Sequence, residues 1–358
     1  MKKTHVAAAC CLALACGCAA AQSSVTLFGI VDTSLSHGSG SVSSKTYLAN
    51  SAYNSSRLGF RGTEDLGGGM SASFWLEAGV ASDDGQGSAT NQNNQASGAG
   101  AAVAGRQGLT FNRRATVSLA GGWGELRLGR DYVPQFWNLT LFDPFNANGV
   151  GGNQLVNGTN GLNVTSQPVG VRASNNIGYF LPGGLGGVYG QLNYYLGENN
   201  SGTPTSADGR GVGFRLGYAK GPINVAVASG TTKYATGDFR QSNLAGQWDT
   251  AVAKFVAQVS RDRLGAVHAR GWLVGAIVPI GANDIHATYA RYRTDLAGTP
   301  ESGKFAISYV HNLSKRTAVY ATYARLTNSG GATQTLGGSV TAANGNSTGY
   351  DLGVRHSF

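Results

Sequence analysis

The side chains of this chain that could act on other molecules are mainly arginines set singly among small and apolar residues. Arg57, Arg61, Arg114 and Arg172 each occupy a polar position in a segment where apolar and polar residues alternate. A positive charge of this kind attracts anions by Coulomb interaction, by about 1 kcal/mol for two unit charges 4 Å apart in water. The chemistry indicated is therefore electrostatic.

Residue patterns that carry covalent or metal chemistry are absent after the first 21 residues. There is no HExxH pattern and no P-loop, and the glycines at residues 183–187 form a turn between strands rather than a dinucleotide loop. The histidines are dispersed, and all four cysteines precede residue 22. The sequence predicts no enzyme, no metal site and no cofactor. A barrel phospholipase or protease, with a site built from distant strands, is an open alternative.

The first 21 residues have the three parts of a secretory signal peptide. Residues 2–3 are lysines, residues 6–15 form a short apolar stretch, and residues 19–21 form a small-residue cleavage site. Cleavage there would release residues 22–358 as the mature chain. The alternative is a lipoprotein signal acylated at a cysteine of this segment, although the residues before its cysteines fit that motif poorly.

The composition of the chain indicates strands rather than helices in a membrane. Of 358 residues, 55 are glycine and only 13% are charged, against a usual charged share of about 25%. No apolar run approaches the roughly 20 residues that a membrane-spanning helix needs. A closed antiparallel barrel is the other way to cross lipid, because it pairs every backbone N–H and C=O group.

Period-two alternation along the chain predicts an all-β, sixteen-stranded antiparallel transmembrane barrel. Leu58 and Phe60, for example, oppose Arg57 and Arg61. Short turns alternate with long loops, which is typical of outer-membrane barrels, and no linker divides residues 22–358 into domains. The predicted strands lie near residues 24–36, 55–63, 70–80, 109–120, 125–131, 172–180, 188–196, 211–219, 223–232, 241–248, 252–261, 270–279, 284–293, 303–311, 317–326 and 350–358.

Five blocks of the chain resemble the general trimeric porins of Gram-negative bacteria, in particular the beta-proteobacterial type. The blocks are SSVTLFGIVD at residues 23–32, SRLGFRGTEDLG at 56–67, GELRLGR at 124–130 with DPF at 143–145, LSKRT at 313–317 and GVRHSF at 353–358. The resemblance implies a homotrimeric barrel in the outer membrane, in contact with its lipids and lipopolysaccharide, whose third long loop folds into the pore. It also implies passive diffusion of small hydrophilic solutes and ions.

In that family, basic residues of the wall face acidic residues of the inward loop, which corresponds here to residues 132–171. The only charged residue of this segment is Asp143. Because arginines outnumber acids, we expect a weak preference for anions, although any one arginine could instead snorkel at an interface or pair locally. The residues expected to line the constriction opposite Asp143 are Arg57, Arg114 and Arg172, with Arg61 and Arg130 as further members.

Arg113 differs from its neighbour Arg114 in the alternation. By parity it falls on the apolar face of the predicted fourth strand. We therefore expect Arg113 at a subunit contact or at the rim of the barrel.

The overall charge leaves other classes of partner to consider. The chain has 27 basic and 18 acidic residues, a formal net charge of +9, but the basic residues are scattered singly and form no basic helix. Nucleic-acid binding is therefore not expected. Two further alternatives are an adhesin-like barrel whose long loops bind a receptor, and a substrate-specific channel that one solute blocks saturably.

Overall fold

Alternating residues produce eighteen strands in the described part of the chain, all in one antiparallel sheet that closes into a barrel. The structure is a computed structural model that describes residues 24–88, 94–96, 108–159 and 162–358. Sixteen strands form the wall, which confirms the predicted fold class, and two short strands extend it at the end with the long loops. The expected signal peptide, residues 1–21, lies outside the described residues and stays a prediction.

The strands are numbered in chain order, and β2 and β17 are the two short additions. They are β1 (Ser24–Gly40), β2 (Ser43–Asn50), β3 (Arg57–Gly67), β4 (Met70–Gly79), β5 (Arg114–Gly121), β6 (Gly124–Tyr132), β7 (Arg172–Phe180), β8 (Val188–Tyr195), β9 (Gly211–Lys220), β10 (Ile223–Thr232), β11 (Phe239–Asp249), β12 (Lys254–Leu264), β13 (Val267–Ile280), β14 (Asn283–Thr294), β15 (Glu301–Asn312), β16 (Thr317–Ser329), β17 (Ser339–Val340) and β18 (Ser347–Ser357).

The barrel closes where β1 pairs with β3 on one side and with β18 on the other. Gly29 and Phe358 exchange two backbone hydrogen bonds at this seam, with N–O distances of 3.0 and 3.1 Å. A Cβ atom on Gly29 would lie 2.8 Å from the carbonyl oxygen of Arg57 and 2.3 Å from the Phe358 ring. Glycine therefore permits the close approach of backbone and ring that closes the wall.

The two faces of the wall separate apolar from polar side chains. On β9, Val212, Phe214 and Leu216 point outward and are 43–49% exposed, whereas Arg215 points inward and is 6% exposed. An outward apolar belt of this kind suits contact with lipid, and the polar inner face suits contact with water. No helix among the described residues is long and apolar enough to cross a membrane.

The first strand is longer than predicted from the sequence. β1 continues to Gly40, and its second half forms a hairpin with β2 while it also pairs with β18. The hairpin segment is rich in serine, threonine and glycine, so it lacks the apolar half of the alternation that would indicate a strand.

The strand β5 begins later than predicted, at Arg114. The residues before it bind β4 irregularly: Asn112 Oδ1 accepts a hydrogen bond from the Gly79 N–H at 2.8 Å, and the Arg113 N–H donates to the Glu77 carbonyl at 3.1 Å. Side chains alternate between the two faces only within a strand. Arg113 precedes β5, and its side chain points into the lumen. Its expected position at a subunit contact or rim is therefore wrong.

The segment between β6 and β7 is called the constriction loop below, and its described residues, 133–159 and 162–171, lie inside the barrel. It contains the helices α1 (Pro134–Leu141) and α2 (Gln154–Asn157) and a short 3-10 helix (Val164–Ser166). Proline opens α1, where a missing N–H is tolerated. The Asn153 side chain caps α2 by accepting a hydrogen bond from the Leu155 N–H at 2.9 Å.

Candidate functional site

Buried amide side chains bind the first part of the constriction loop to β10, β11 and β12. Asn138 Nδ2 donates to the Ala226 carbonyl oxygen at 3.0 Å and to Asn243 Oδ1 at 2.8 Å. Gln258 Nε2 donates to the Leu139 carbonyl oxygen at 3.1 Å. Because Asn138, Leu139 and Gln258 are all buried, each of these bonds is protected from competing water.

The second part of the loop is bound to a distant sector of the wall. The Val150 N–H donates to Asp351 Oδ2 on β18 at 2.9 Å, and the Lys304 ammonium group on β15 donates to the Gly152 carbonyl oxygen. The loop therefore crosses the lumen instead of lying along a single side of it.

Apolar side chains fill the space between the loop and the wall that it covers. Leu139, Leu155 and Val164 from the loop form a buried cluster with Leu273 and Tyr292 from the inner face of β13 and β14. These inward wall positions are apolar because the loop, rather than water, covers them. This part of the lumen is closed, and the open path lies on the other side of the loop.

A cavity of about 760 Å³ lies between the constriction loop and the uncovered wall. On the wall side it contains the carboxylates of Glu77 and Asp131, and on the loop side the neutral side chains of Trp137, Thr140 and two asparagines. The arginines that line it are Arg57, Arg61, Arg113, Arg114, Arg127 and Arg215. The described surface of the cavity is thus positive on the wall and uncharged on the loop.

Aromatic rings stack against several of these guanidinium groups. The Cζ atoms of Arg61 and Arg114 lie 5.0 and 4.6 Å from the Trp75 ring centroid, and Arg127 Cζ lies 4.0 Å from that of Phe180. Such cation–π contacts contribute about 0.5–1 kcal/mol each at exposed sites. They hold the charges in defined positions along the wall.

The two carboxylates neutralise part of this positive charge. Glu77 Oε1 lies 2.5 Å from Arg113 Nε and 3.8 Å from Arg57 Nη1. Asp131 Oδ2 lies 2.7 Å from Arg127 Nη1. Glu125, which does not line the cavity, also pairs with Arg127, with its Oε1 2.9 Å from Arg127 Nε. Three acids against six arginines still leave the wall with a net positive charge.

Arg61 and Arg215 have no acidic partner within the described ranges. Arg61 contacts the rings of Phe28 and Trp75. Arg215 Nε donates to Asn138 Oδ1 at 2.9 Å. These neutral partners orient the two guanidinium groups without cancelling their charge.

Asp143 is buried inside the constriction loop and is not among the residues that line the cavity. Its Oδ1 accepts a hydrogen bond from the Phe145 N–H at 3.1 Å, and its Oδ2 accepts one from the Ala147 N–H at 2.7 Å. Burial raises the pKa of this carboxyl group, and the hydrogen bonds and the positive charge of Lys304 oppose that shift. The structure therefore does not bring Asp143 to face the wall arginines across the cavity.

Arg172 and Arg130 lie behind the surface of the cavity. Arg172 Nη2 donates to Tyr132 Oη at 2.7 Å, and its guanidinium group stacks on the Tyr132 ring, which lines the cavity. Arg130 Nε donates to the Asn112 carbonyl oxygen at 2.6 Å and Arg130 Nη1 to Ser174 Oγ at 2.8 Å. Both groups add positive charge near the cavity without lining it.

Sequence alternation finds only part of the set that lines the cavity. The predicted residues that the structure brings together there are Arg57, Arg61 and Arg114. Arg127 and Arg215 also occupy inward positions of alternating strands, so parity could have identified them. The path of the constriction loop decides which of the inward arginines face water. The local alternation of residues does not predict that path.

Comparison with known proteins identifies the family. A family model described as Gram-negative porin matches residues 7–331. Outer membrane porin protein 32 of Delftia acidovorans is 35% identical over 376 residues, which cover all of both chains. An outer membrane porin protein of Bordetella pertussis is 28% identical, with 90% of this chain and 93% of that protein covered.

Solved structures agree with this assignment. The anion-selective porin from Comamonas acidovorans has a TM-score of 0.80 and 34% identity, with 94% of this chain and 100% of that chain covered. The trimer form of OmpT from Vibrio cholerae has a TM-score of 0.65 over 94% of this chain and 99% of that chain; at 13% identity it supports the fold alone. The chain belongs to the Gram-negative porin family and is an outer-membrane channel rather than an enzyme.

Proposed function

We propose that this porin is a passive channel for small hydrophilic solutes and ions with a weak preference for anions. The observation that carries the proposal is the cavity beside the constriction loop, where six arginines and two carboxylates face a neutral loop surface. Anions are attracted to the wall, and no described acid on the loop side of the cavity offsets that attraction for cations.

The expected preference is modest because the cavity is hydrated. Two unit charges 4 Å apart interact by about 1 kcal/mol in water and about 4 kcal/mol near a protein surface. Screening at physiological salt reduces the attraction beyond roughly 8 Å, and Glu77 and Asp131 cancel part of the charge. The porin from Comamonas acidovorans, which is 34% identical, is anion-selective, and this supports the same sign of selectivity here.

We propose that Arg57, Arg61 and Arg114 act directly on passing ions, because they line the cavity. Arg172 and Arg130 would contribute through the field, from behind its surface. Asp143 would act by holding the loop in shape, since both of its carboxylate oxygens accept backbone hydrogen bonds.

We also propose a homotrimer in contact with outer-membrane lipids and lipopolysaccharide, made as a precursor with residues 1–21 as signal peptide. The resemblance to the trimeric porins and the exposed apolar belt support these proposals. The belt provides apolar area both for lipid and for two neighbouring copies.

Recordings from planar lipid bilayers test the proposed function. In a KCl gradient, the reversal potential should have the sign of an anion-preferring pore, and conductance should rise in steps of three. A cation-selective sign would contradict the proposal. If bilayers that contain the protein show no conductance steps, the result would favour the adhesin-like barrel. Saturable block of the conductance by one solute would favour a substrate-specific channel.

Substitution of Asp143 tests whether its carboxylate acts on ions. We expect Asp143→Asn to leave the reversal potential unchanged, because the group is buried away from the cavity, but to destabilise the loop by about 1–3 kcal/mol, since an amide cannot accept both backbone N–H bonds. Asn146→Asp is the matched control, because Asn146 is exposed and lines the cavity, and it should reduce the anion preference. A strong gain of anion selectivity in Asp143→Asn would place the carboxylate in the ion path.

A further inference from the structure

A row of three arginines crosses the outer face of β12, β13 and β14. Arg261 lies directly opposite Arg270, and Arg270 lies directly opposite Arg293. Like charges directly opposite each other on a sheet destabilise it. None of the three side chains has a hydrogen-bond or ion-pair partner in the part of the chain that the structure describes. We name these residues the outer arginine row.

The outer arginine row lines an open cavity of about 840 Å³ on the outer surface of the barrel. On the side toward the middle of the wall, this cavity has an apolar floor of Leu244, Val259 and Trp272, which are 40–51% exposed. The one acid among its described lining residues, Glu301, is already paired with Arg291 at 3.0 Å. The cavity therefore combines uncompensated positive charge with exposed apolar surface.

The row lies at the end of the barrel that carries the long loops. Antiparallel strands reverse direction at each step, so the carboxyl ends of β6, β12 and β14 share one end of the barrel, and the constriction loop follows β6 there. In outer-membrane barrels the longer loops are extracellular. The outer arginine row therefore lies at the outer-leaflet boundary between apolar core and polar headgroups.

On the basis of the contact with lipopolysaccharide proposed above, we propose that the outer arginine row binds the phosphate groups of this phosphorylated glycolipid of the outer leaflet. Guanidinium groups bind phosphate through pairs of parallel hydrogen bonds, and three adjacent ones provide charge for more than one phosphate. Phosphates at the headgroup level would separate the like charges of the row, while acyl chains of the same molecule would cover Leu244, Val259 and Trp272. The arginines lie at the level of the headgroups and the apolar residues at the level of the acyl chains. This arrangement fits a glycolipid better than a free anion, because a free anion would contact the arginines alone.

Binding of lipid A to the folded protein in detergent, followed by native mass spectrometry, tests the proposal. The variant with Arg261→Gln, Arg270→Gln and Arg293→Gln should bind bisphosphoryl lipid A at least tenfold more weakly than the unchanged protein, which corresponds to about 1.4 kcal/mol. Both proteins should bind fully dephosphorylated lipid A equally. Unchanged affinity of the variant for bisphosphoryl lipid A would overturn the proposal.

A variant with Lys220→Gln, Lys315→Gln and Arg316→Gln is the matched control, because it removes three exposed positive charges at the short-turn end of the barrel. It should bind bisphosphoryl lipid A like the unchanged protein, and an equal loss of binding in both variants would show that only net charge matters.

Two other results would overturn the proposal. Binding of inorganic phosphate as tight as that of lipid A would identify a general anion site. Loss of the trimer of the arginine variant in size-exclusion chromatography, with lipid A binding intact, would identify a subunit contact. The reversal potential should not change, since the row lies outside the lumen, so this result is independent of the proposed pore function.

Discussion

Replacement of Arg57, Arg61 and Arg114 by glutamine together should lower the anion-to-cation permeability ratio severalfold, to about one. The three residues line the cavity beside the constriction loop, and each charge acts on a passing ion by ~1 kcal/mol or less once water and salt screen it. Glu77 and Asp131 would remain with one close arginine partner each, Arg113 and Arg127, so the wall would keep little net charge near them. Reversal potentials in a KCl gradient measure the change.

The control for this variant removes the same number of charges from outward or rim positions. Lys220→Gln, Arg240→Gln and Arg325→Gln alter exposed side chains that do not belong to the cavity lining. The control should keep the reversal potential of the unchanged protein. If both triple variants shift it equally, selectivity depends on the overall charge of the barrel, and the three wall arginines have no special role.

The second large effect is expected from Asn138→Ala, which removes a buried link between the constriction loop and the wall. Asn138 binds the Ala226 carbonyl and Asn243 and accepts a hydrogen bond from Arg215, and these partners would lose those bonds. Each buried group left unsatisfied costs about 1–3 kcal/mol. We expect the loop to leave the wall intermittently, which single-channel recordings would detect as added current noise and brief changes of conductance.

A substitution elsewhere in the same loop provides the comparison. Among the described residues, the Gln167 side chain has hydrogen bonds only within the loop, at 3.3 and 3.5 Å. Gln167→Ala should therefore give single-channel recordings without added current noise. Heat-modifiable mobility in detergent should be the same for both variants, because neither touches the strand ladder. Quiet channels from Asn138→Ala would show that the remaining attachments hold the loop by themselves.

The barrel follows from the sequence because its determinant is local. A strand with one face toward lipid and one toward water must alternate, as Val212, Phe214 and Leu216 do against Arg215. The same rule places Arg57 and Arg61 on the inner face, where they line the cavity. The rule does not apply where a strand has not yet begun, and for that reason it misplaces Arg113.

The composition of the constriction depends on contacts between residues far apart in sequence. The path of the loop decides which inward side chains face water and which are covered, and it buries Asp143 although the sequence shows only a lone acid in a polar segment. The sequence gives one indication of this path: the inward residues Ala226, Ala228 and Ala245 of β10 and β11 are small and apolar. Inner-wall residues of that kind indicate cover by protein, but they do not say which segment supplies it.

The two attachments of the constriction loop also have a mechanical consequence. A barrel wall is a thin shell, and lateral pressure in the bilayer tends to flatten such a shell into an oval. One stretch of chain is bonded at Asn138 to β10 and β11 and at Val150 to β18, so it braces two sectors of the shell against each other. Flattening would have to break hydrogen bonds at one end of this brace, and the width of the pore should therefore respond little to membrane tension.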